Sequence, residues 1–598
     1  MEKTINEAFR NRVKKYKGRI AIEKKLNGKW EQASWNKYYE CARAVGLALH
    51  RENIQKGDKI AILSENRLEW LYTDMGALGA GICVVPIYTT LLSDEVEYIV
   101  NHSEAKVIFV ENQTQLEKAL ASIGNCPDLK KIVVLNNDTG RAKSDKVISF
   151  KDFIEQGTQV YLNNPDLFEK LSDAVKPEDL ATIVYTSGTT GVPKGAMISH
   201  NNIMAVIRSL EAIKPQFAYE TDQTVPFLPL SHVFERMAGH FYGLYTGLTA
   251  SYAESIQTFA EDIKEKRPTV VLAVPRVCEK VYQKILMQVE NQPKWRQKVF
   301  HWGYDIGVTI SELREKKKPI PYFLDVKYKV AYNLIFKKLA EALGGRVRWM
   351  TASGAPTSRD IILFFNAAGI QVIEGYGMTE CCAPATMSNL EDYRIGTVGK
   401  ALPFVDVKLD KDGEILIKGE NVFAGYWKME TETKAATTSD GYLRTGDIGE
   451  FEDGFLKITD RKKDLIITSG GKNIAPQKIE GLFKFDPLFS QFIVIGERKN
   501  YLSALVNINL EQAELIARQE NIAFSNPMDL LENKQFLSII DKRVADRNTH
   551  LAKYETIKKY RIIKKEFSQE SGELTASLKM KRNVIYNIYK SEIDSMYA

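Results

Sequence analysis

Short apolar runs and helical patterns alternate through the first two-thirds of the chain. "KIAILSEN" (59–66), "ICVVPIY" (82–88), "AKVIFVEN" (105–112) and "KIVVLNN" (131–137) read as strands, and "EVEYIVNHS" (95–103) as part of a helix between them. That alternation predicts α/β layers. The pattern then changes. "DVKLDKDGEILIKG" (406–419) alternates on both sides of Lys411-Asp412-Gly413 and predicts an antiparallel hairpin. Beyond Asp464, "LFSQFIVIG" and "ALVNINL" suit a small α+β unit. The charged cluster "DRKKD" (460–464) reads as the linker before it. The expected fold is therefore α/β: a large multi-layer N-terminal domain of mixed sheets with helices, then a small α+β C-terminal domain.

At 598 residues the chain is too long for one ordinary core, which agrees with two units. A net charge of +6 is small for that length and makes no case for nucleic acid. The six cysteines show no metal spacing and no disulfide framework, so a reducing cytoplasm is expected. "MGALGAGICVVPIYTTLL" (75–92) lacks charge but is short for a membrane span and carries Pro86; a packed helix end followed by a buried strand fits better. The stretch 314–338 interleaves lysines with aromatics. It reads as a core-packed helix with a solvated basic face, with peripheral contact to the inner face of an anionic membrane as the alternative. Oligomeric state is not legible.

The densest chemistry follows the apolar run "LATIV". "YTSGTTGVPKGAMISH" (185–200) packs Thr186, Ser187, Gly188, Thr189, Thr190, Gly191 and Lys194 into one short loop. Glycines let backbone N–H groups turn toward an anion, hydroxyls add donors, and the lysine adds charge. The usual nucleotide loop G-x-x-x-x-G-K-[ST] is not met: Pro193 replaces the second glycine and Gly195 follows the lysine. Phosphate binding is expected, but not by a nucleotide kinase or motor-type ATPase.

This stretch resembles the signature of the adenylate-forming superfamily, which includes acyl-CoA synthetases, luciferases and peptide-synthetase adenylation domains. Further motifs appear in the family's order. In "EGYGMTE" (374–380) the resemblance puts Tyr376 and Gly377 beside adenine, Thr379 near the α-phosphate and Glu380 on Mg²⁺. In "YLRTGDIG" (442–449) it puts Asp447 on the ribose hydroxyls. In "ITDRKKDLIITSGGKNIAP" (458–476) Arg461 matches the nucleotide-contacting arginine, Lys463 the hinge, and Gly470 and Gly471 a loop lining the thiol's approach. "GELTASLKMKR" carries Lys579 in the place of the catalytic lysine, with Lys581 as its competitor. Many members have Ser-Gly-Lys there; this chain has Ser-Leu-Lys, as in the long-chain fatty acyl-CoA synthetases.

"LPLSHVFER" (228–236), "VPRVCEKVY" and "MTASGAPTS" are similar to that same branch. His232 would then border the acyl site, with proton transfer as a further role. The resemblance implies an ATP-dependent, Mg²⁺-requiring fatty acid–CoA ligase with domains 1–460 and 461–598, the second mobile about Lys463. Its ligands would be fatty acid, ATP and CoA, not nucleic acid. Transfer to a carrier-protein thiol and a non-catalytic nucleotide or lipid sensor are the alternatives.

Overall fold

The computed structural model describes residues 2–140, 145–186, 192–469, 472–484, 486–568, 571–574 and 580–598. The predicted N-terminal strands are present at Lys59–Leu63, Cys83–Ile87, Ala105–Val110 and Lys131–Val134, with the helix Ser93–Ser103 between them. They lie side by side in a seven-stranded sheet. Six of its strands are parallel, and Lys194–Ser199 closes one edge antiparallel to Leu180–Thr186. The central strands are fully buried, as near-continuous apolar runs require. Pro86 sits inside Cys83–Ile87 and cannot donate to the neighbouring strand. Only Val84↔Thr182 pairs on that side. Among the described residues no helix is long and apolar enough to cross a membrane.

A second seven-stranded sheet draws on distant parts of the chain, from Ile20–Leu26 and Lys29–Ser34 to Gln371–Ile373. One apolar core fills the space between it and the first sheet. The helices Trp35–Arg51 and Leu68–Gly79 run through that core, and the second is buried along its whole length. The helix Phe150–Asn163 crosses Trp35–Arg51 at Gly157, where a Cβ would stand 1.8 Å from the Ala44 carbonyl oxygen. Only glycine permits that approach.

The predicted hairpin is Val405–Leu409 against Glu414–Gly419, in register from Val405↔Gly419 to Leu409↔Ile415. It continues into a four-stranded antiparallel sheet with Leu443–Glu452 and Phe455–Arg461. The linker reading needs one correction here. Asp460 and Arg461 belong to that last strand, paired with Ile448 and Asp447, and Asp460 is buried. A charge run is normally solvated; this one begins inside a sheet because every second residue of the strand faces inward. After Asp464 the chain builds a three-stranded sheet of Phe489–Ile495, Leu502–Ile508 and Ile557–Ile562, with its own apolar core.

Candidate active site

The strand Leu180–Thr186 delivers the glycine-threonine loop, and Lys194–Ser199 takes it back. Thr186 and Lys194 pair at the mouth of the hairpin. Ser187, Gly188, Thr189, Thr190 and Gly191, which form the loop itself, lie outside the described residues. The return strand is held on its other side by the segment 424–427. Ala196 bridges Tyr426, Met197 N–H donates to the Gly425 carbonyl (3.0 Å), and Trp427 N–H donates to that of Gly195 (2.8 Å). Lys194 Nζ is 5.3 Å from the centre of the Tyr426 ring, within cation–π range.

Tyr426 points its hydroxyl at the next motif. It donates to Glu380 Oε1 at 2.7 Å. Glu380 lies in a short 3-10 turn, Thr379–Cys381, and is 5 % exposed. Its carbonyl accepts from Phe423 N–H at 2.8 Å, so backbone and side chain are tied to the same 423–426 segment. Burial raises the pKa of the Glu380 carboxyl. The Tyr426 hydroxyl and, further off, the Arg461 charge work against that rise. Thr379 opens the turn and is half-buried. Gly377 is required by packing: a Cβ there would come within 3.0 Å of Ala383 and Pro384.

Tyr376 is buried and donates its hydroxyl to Asp447 Oδ2 at 2.6 Å. The other oxygen of Asp447 pairs with Arg461 Nε at 3.1 Å, across the register Asp447↔Arg461. A strand pairing thus fixes the arginine on the aspartate, and the tyrosine fixes the aspartate from below. Three residues read from three separate motifs form one polar chain. Lys462 points the other way and meets Asp412 (2.5 Å) and Glu414 (3.0 Å) on the hairpin. Lys463 follows, exposed in a turn. Gly470, Gly471 and Lys579 lie outside the described residues. Lys581 is described and caps the helix Arg582–Ile588.

His232 is partly exposed. Its Nδ1 accepts from Phe234 N–H at 3.2 Å, which leaves the proton of the neutral ring on Nε2. Its loop is held by Asn66, which donates to the Leu228 carbonyl (2.7 Å) and accepts from Leu230 N–H (2.8 Å). The helix it opens contains a π-helical segment, Glu235–Phe241. Arg236, 1 % exposed, grips Asp74 through two nitrogens and donates to Thr182 Oγ1 at 2.6 Å, on the strand that leads to the phosphate loop. Glu235 is as deeply buried, and neither of its oxygens has a hydrogen-bond partner. It fits because residue 239 is glycine: a Cβ there would stand 2.2 Å from Oε1. Burial pushes the Glu235 carboxyl up to about 8, so it is neutral at pH 7.

A small apolar cavity of about 20 Å³ is lined by residues including Phe259, Val277, Cys278, Val281 and Phe365. Ala273, also in its wall, accepts from Ser353 N–H, and a Cβ on Gly375 would stand 3.6 Å from Ser353 Oγ. One serine therefore separates the cavity wall from the strand that carries Tyr376.

Sequence reading did not find Tyr426, Glu235 or the Asp74–Arg236 pair. No spacing relates residue 426 to residue 380; the link exists only in three dimensions, through the Ala196–Tyr426 bridge and the Phe423 N–H on the Glu380 carbonyl. A charged pair in "HVFER" offers no sign in sequence that one member is paired and the other left alone.

The AMP-binding enzyme family matches residues 9–427, and the AMP-binding enzyme C-terminal domain matches 463–598. A relative from Mycobacterium bovis, named long-chain-fatty-acid–CoA ligase FadD15, is 33% identical over 580 residues, 97% of this chain and 94% of its own length. The human long-chain-fatty-acid–CoA ligase ACSBG2 is 30% identical over 624 residues, 99% of this chain and 92% of its own. Among solved structures, the adenylation domain of a carboxylate reductase from Mycobacterium chelonae superposes with a TM-score of 0.74 at 23% identity, over 99% of this chain and 91% of that one. The anthranilate CoA ligase AuaEII, solved with anthranoyl-AMP, gives 0.72 at 18%, over 99% and 100%. With both of its parts matched in order and the polar chain Tyr376–Asp447–Arg461 set beside Glu380, the protein belongs to the AMP-binding enzyme family and is an adenylate-forming acid–CoA ligase.

Proposed function

We propose that the acid is a long-chain fatty acid and that the residues above divide the work as follows. ATP lies with its ribose on Asp447, whose orientation Tyr376 sets and whose charge Arg461 balances. Its phosphates meet the 186–194 loop and Lys194. The fatty carboxylate attacks the α-phosphorus, the bond to pyrophosphate breaks, and an acyl adenylate forms. Fixed cations and N–H donors stabilise the charge that moves among the phosphate oxygens. Glu380 suits Mg²⁺: it is one buried carboxylate with one oxygen engaged by Tyr426, and it would hold the ion alongside phosphate and water. Bound there, the ion would neutralise phosphate charge.

In the second step the CoA sulfur attacks the acyl carbonyl. The bond to AMP breaks, and the thiol proton passes to solvent or a base. Lys579 serves the first step, and Gly470 and Gly471 line the thiol's approach in the second. The small unit beyond Lys463 changes orientation there between them, while Arg461 stays in the large unit's strand. His232 borders the acyl site.

Long-chain acids are supported by the names of the relatives. The carrying observation is the Tyr376–Asp447–Arg461 chain, which three separated motifs assemble. A cytoplasmic setting fits six cysteines that are all buried and unpaired. The test is AMP release against carboxylates of graded chain length, with CoA and with a carrier protein as acceptor. Release that rises with chain length and requires CoA supports the reading. A maximum at acetate or an aryl acid, or activity only with the carrier, refutes it.

A further inference from the structure

The stretch 314–338 does more than show lysines to water. The helix Tyr322–Ala331 and the turns after it bury Tyr328, Ala331 and Phe336, and Tyr328 donates to the Ala367 carbonyl at 3.0 Å. That is the core-packed side. The opposite side is apolar as well. Tyr322, Phe323, Val326, Val330 and Leu334 are 82, 64, 41, 48 and 59 % exposed, and four of them recur at intervals of four residues along one face. The neighbouring helix, Lys294–Glu315, closes on Ala331 and Ile335 at Gly303 and carries Trp295, 63 % exposed. Seven of the 18 large exposed apolar side chains among the described residues fall between 295 and 334, so this is a patch and not scatter.

Its rim is basic. Residues 314–338 hold eight Lys or Arg against two acids. Lys317 and Lys329 are paired with Asp392 and Asp325. Lys316, Lys318, Lys337 and Lys338 are exposed and have no ion pair among the described residues. The whole chain carries a net charge of +6, so this one stretch holds an excess equal to the total. An exposed apolar stripe flanked by unpaired lysines complements one kind of surface: acyl chains under a layer of anionic headgroups.

We infer that the face formed by Tyr322 to Leu334, rimmed by Lys316, Lys318, Lys337 and Lys338, docks the protein on an anionic lipid bilayer. The docking is independent of the catalytic assignment. It would place the ligase on the phase in which fatty acids partition.

The test uses the full chain and flotation with vesicles of phosphatidylcholine alone or with one-third phosphatidylglycerol. The wild type should float with the anionic vesicles and not with the neutral ones. Lys337→Gln with Lys338→Gln should weaken binding about 25-fold, about fivefold per lysine, and about 0.5 M salt should erase that difference. Tyr322→Ser with Phe323→Ser should weaken it at least about tenfold. Both pairs are on the surface, and AMP release from a short, water-soluble acid should match wild type, so a failed catalytic reading shows there and not in flotation. Wild type that does not float, variants that float like wild type, or a patch-dependent dimer in sedimentation would overturn the inference. The last outcome would assign the face to a second copy of the chain.

Discussion

Replacing Glu235 by Gln isolates one buried proton. The carboxyl titrates near its ordinary 4.5 in the unfolded chain and at about 8 in the fold, because burial disfavours its charge and nothing bonds to it. The folded state therefore keeps a proton that the unfolded state releases. The sign follows: the stability this group contributes is full below pH 4.5, declines as pH rises, and is gone above about 8. The slope is about 1.4 kcal/mol per pH unit, so wild type loses roughly 4 kcal/mol between pH 5 and 8 through this residue alone. Glutamine cannot titrate. Its buried amide adds a constant offset, so the slope rather than the intercept carries the information. Urea unfolding of both proteins at pH 5 to 9 should show the variant gaining on wild type by about 1 M in midpoint up to pH 8, then a constant gap. AMP release at pH 7 should be retained, since a neutral carboxyl and an amide carry the same charge. Parallel profiles across the whole range would mean that Glu235 is ionised and paired in solution, and the burial argument would fail.

Glu380→Gln should depress adenylation and raise the Mg²⁺ requirement at least about tenfold, measured by pyrophosphate exchange. Tyr426→Phe removes the hydroxyl that opposes burial at Glu380, so the acid limb of that exchange should move to higher pH; an unmoved limb would dissociate Tyr426 from the carboxylate. Lys579→Ala should cripple adenylation yet leave thioester formation from supplied acyl adenylate largely intact. Lys463→Pro, by fixing φ, should do the reverse, and slowing of the same half-reaction by both would remove the hinge.

The layered fold was legible because buried parallel strands are written as near-continuous apolar runs, and 59–63, 83–87, 105–110 and 131–134 were, with a lysine at or near the start of three of them. Pattern reached less far where charge meets burial. "DRKKD" looked like solvent, yet Asp460 is 2 % exposed in a strand. "YFLDVKYKV" looked like one apolar face and one basic face, yet both sides of that helix carry large apolar side chains. Motif order led to Tyr376, Asp447, Arg461 and Glu380, because each sits in a short stretch that matches the family's signature, whether in a strand or a turn. It did not lead to Tyr426, whose tie to Glu380 depends on two strands adjacent only in three dimensions.

The hookup of Lys462 to Asp412 and Glu414 shortens the free connector to very little. The large unit grips the chain through residue 462, and the first strand of the small unit begins at Ile466. Three residues, 463–465, are left to absorb any reorientation. If the small unit turns at Lys463 as proposed, such a connector would act as a swivel with a handful of torsional degrees of freedom, not a tether, and would confine that unit to an arc instead of a volume. Its local concentration at the site would then stay high in either orientation, and docking would cost little chain entropy. Lengthening the connector with glycine and serine would trade that arc for a volume and slow both half-reactions together, without touching any group that meets a substrate.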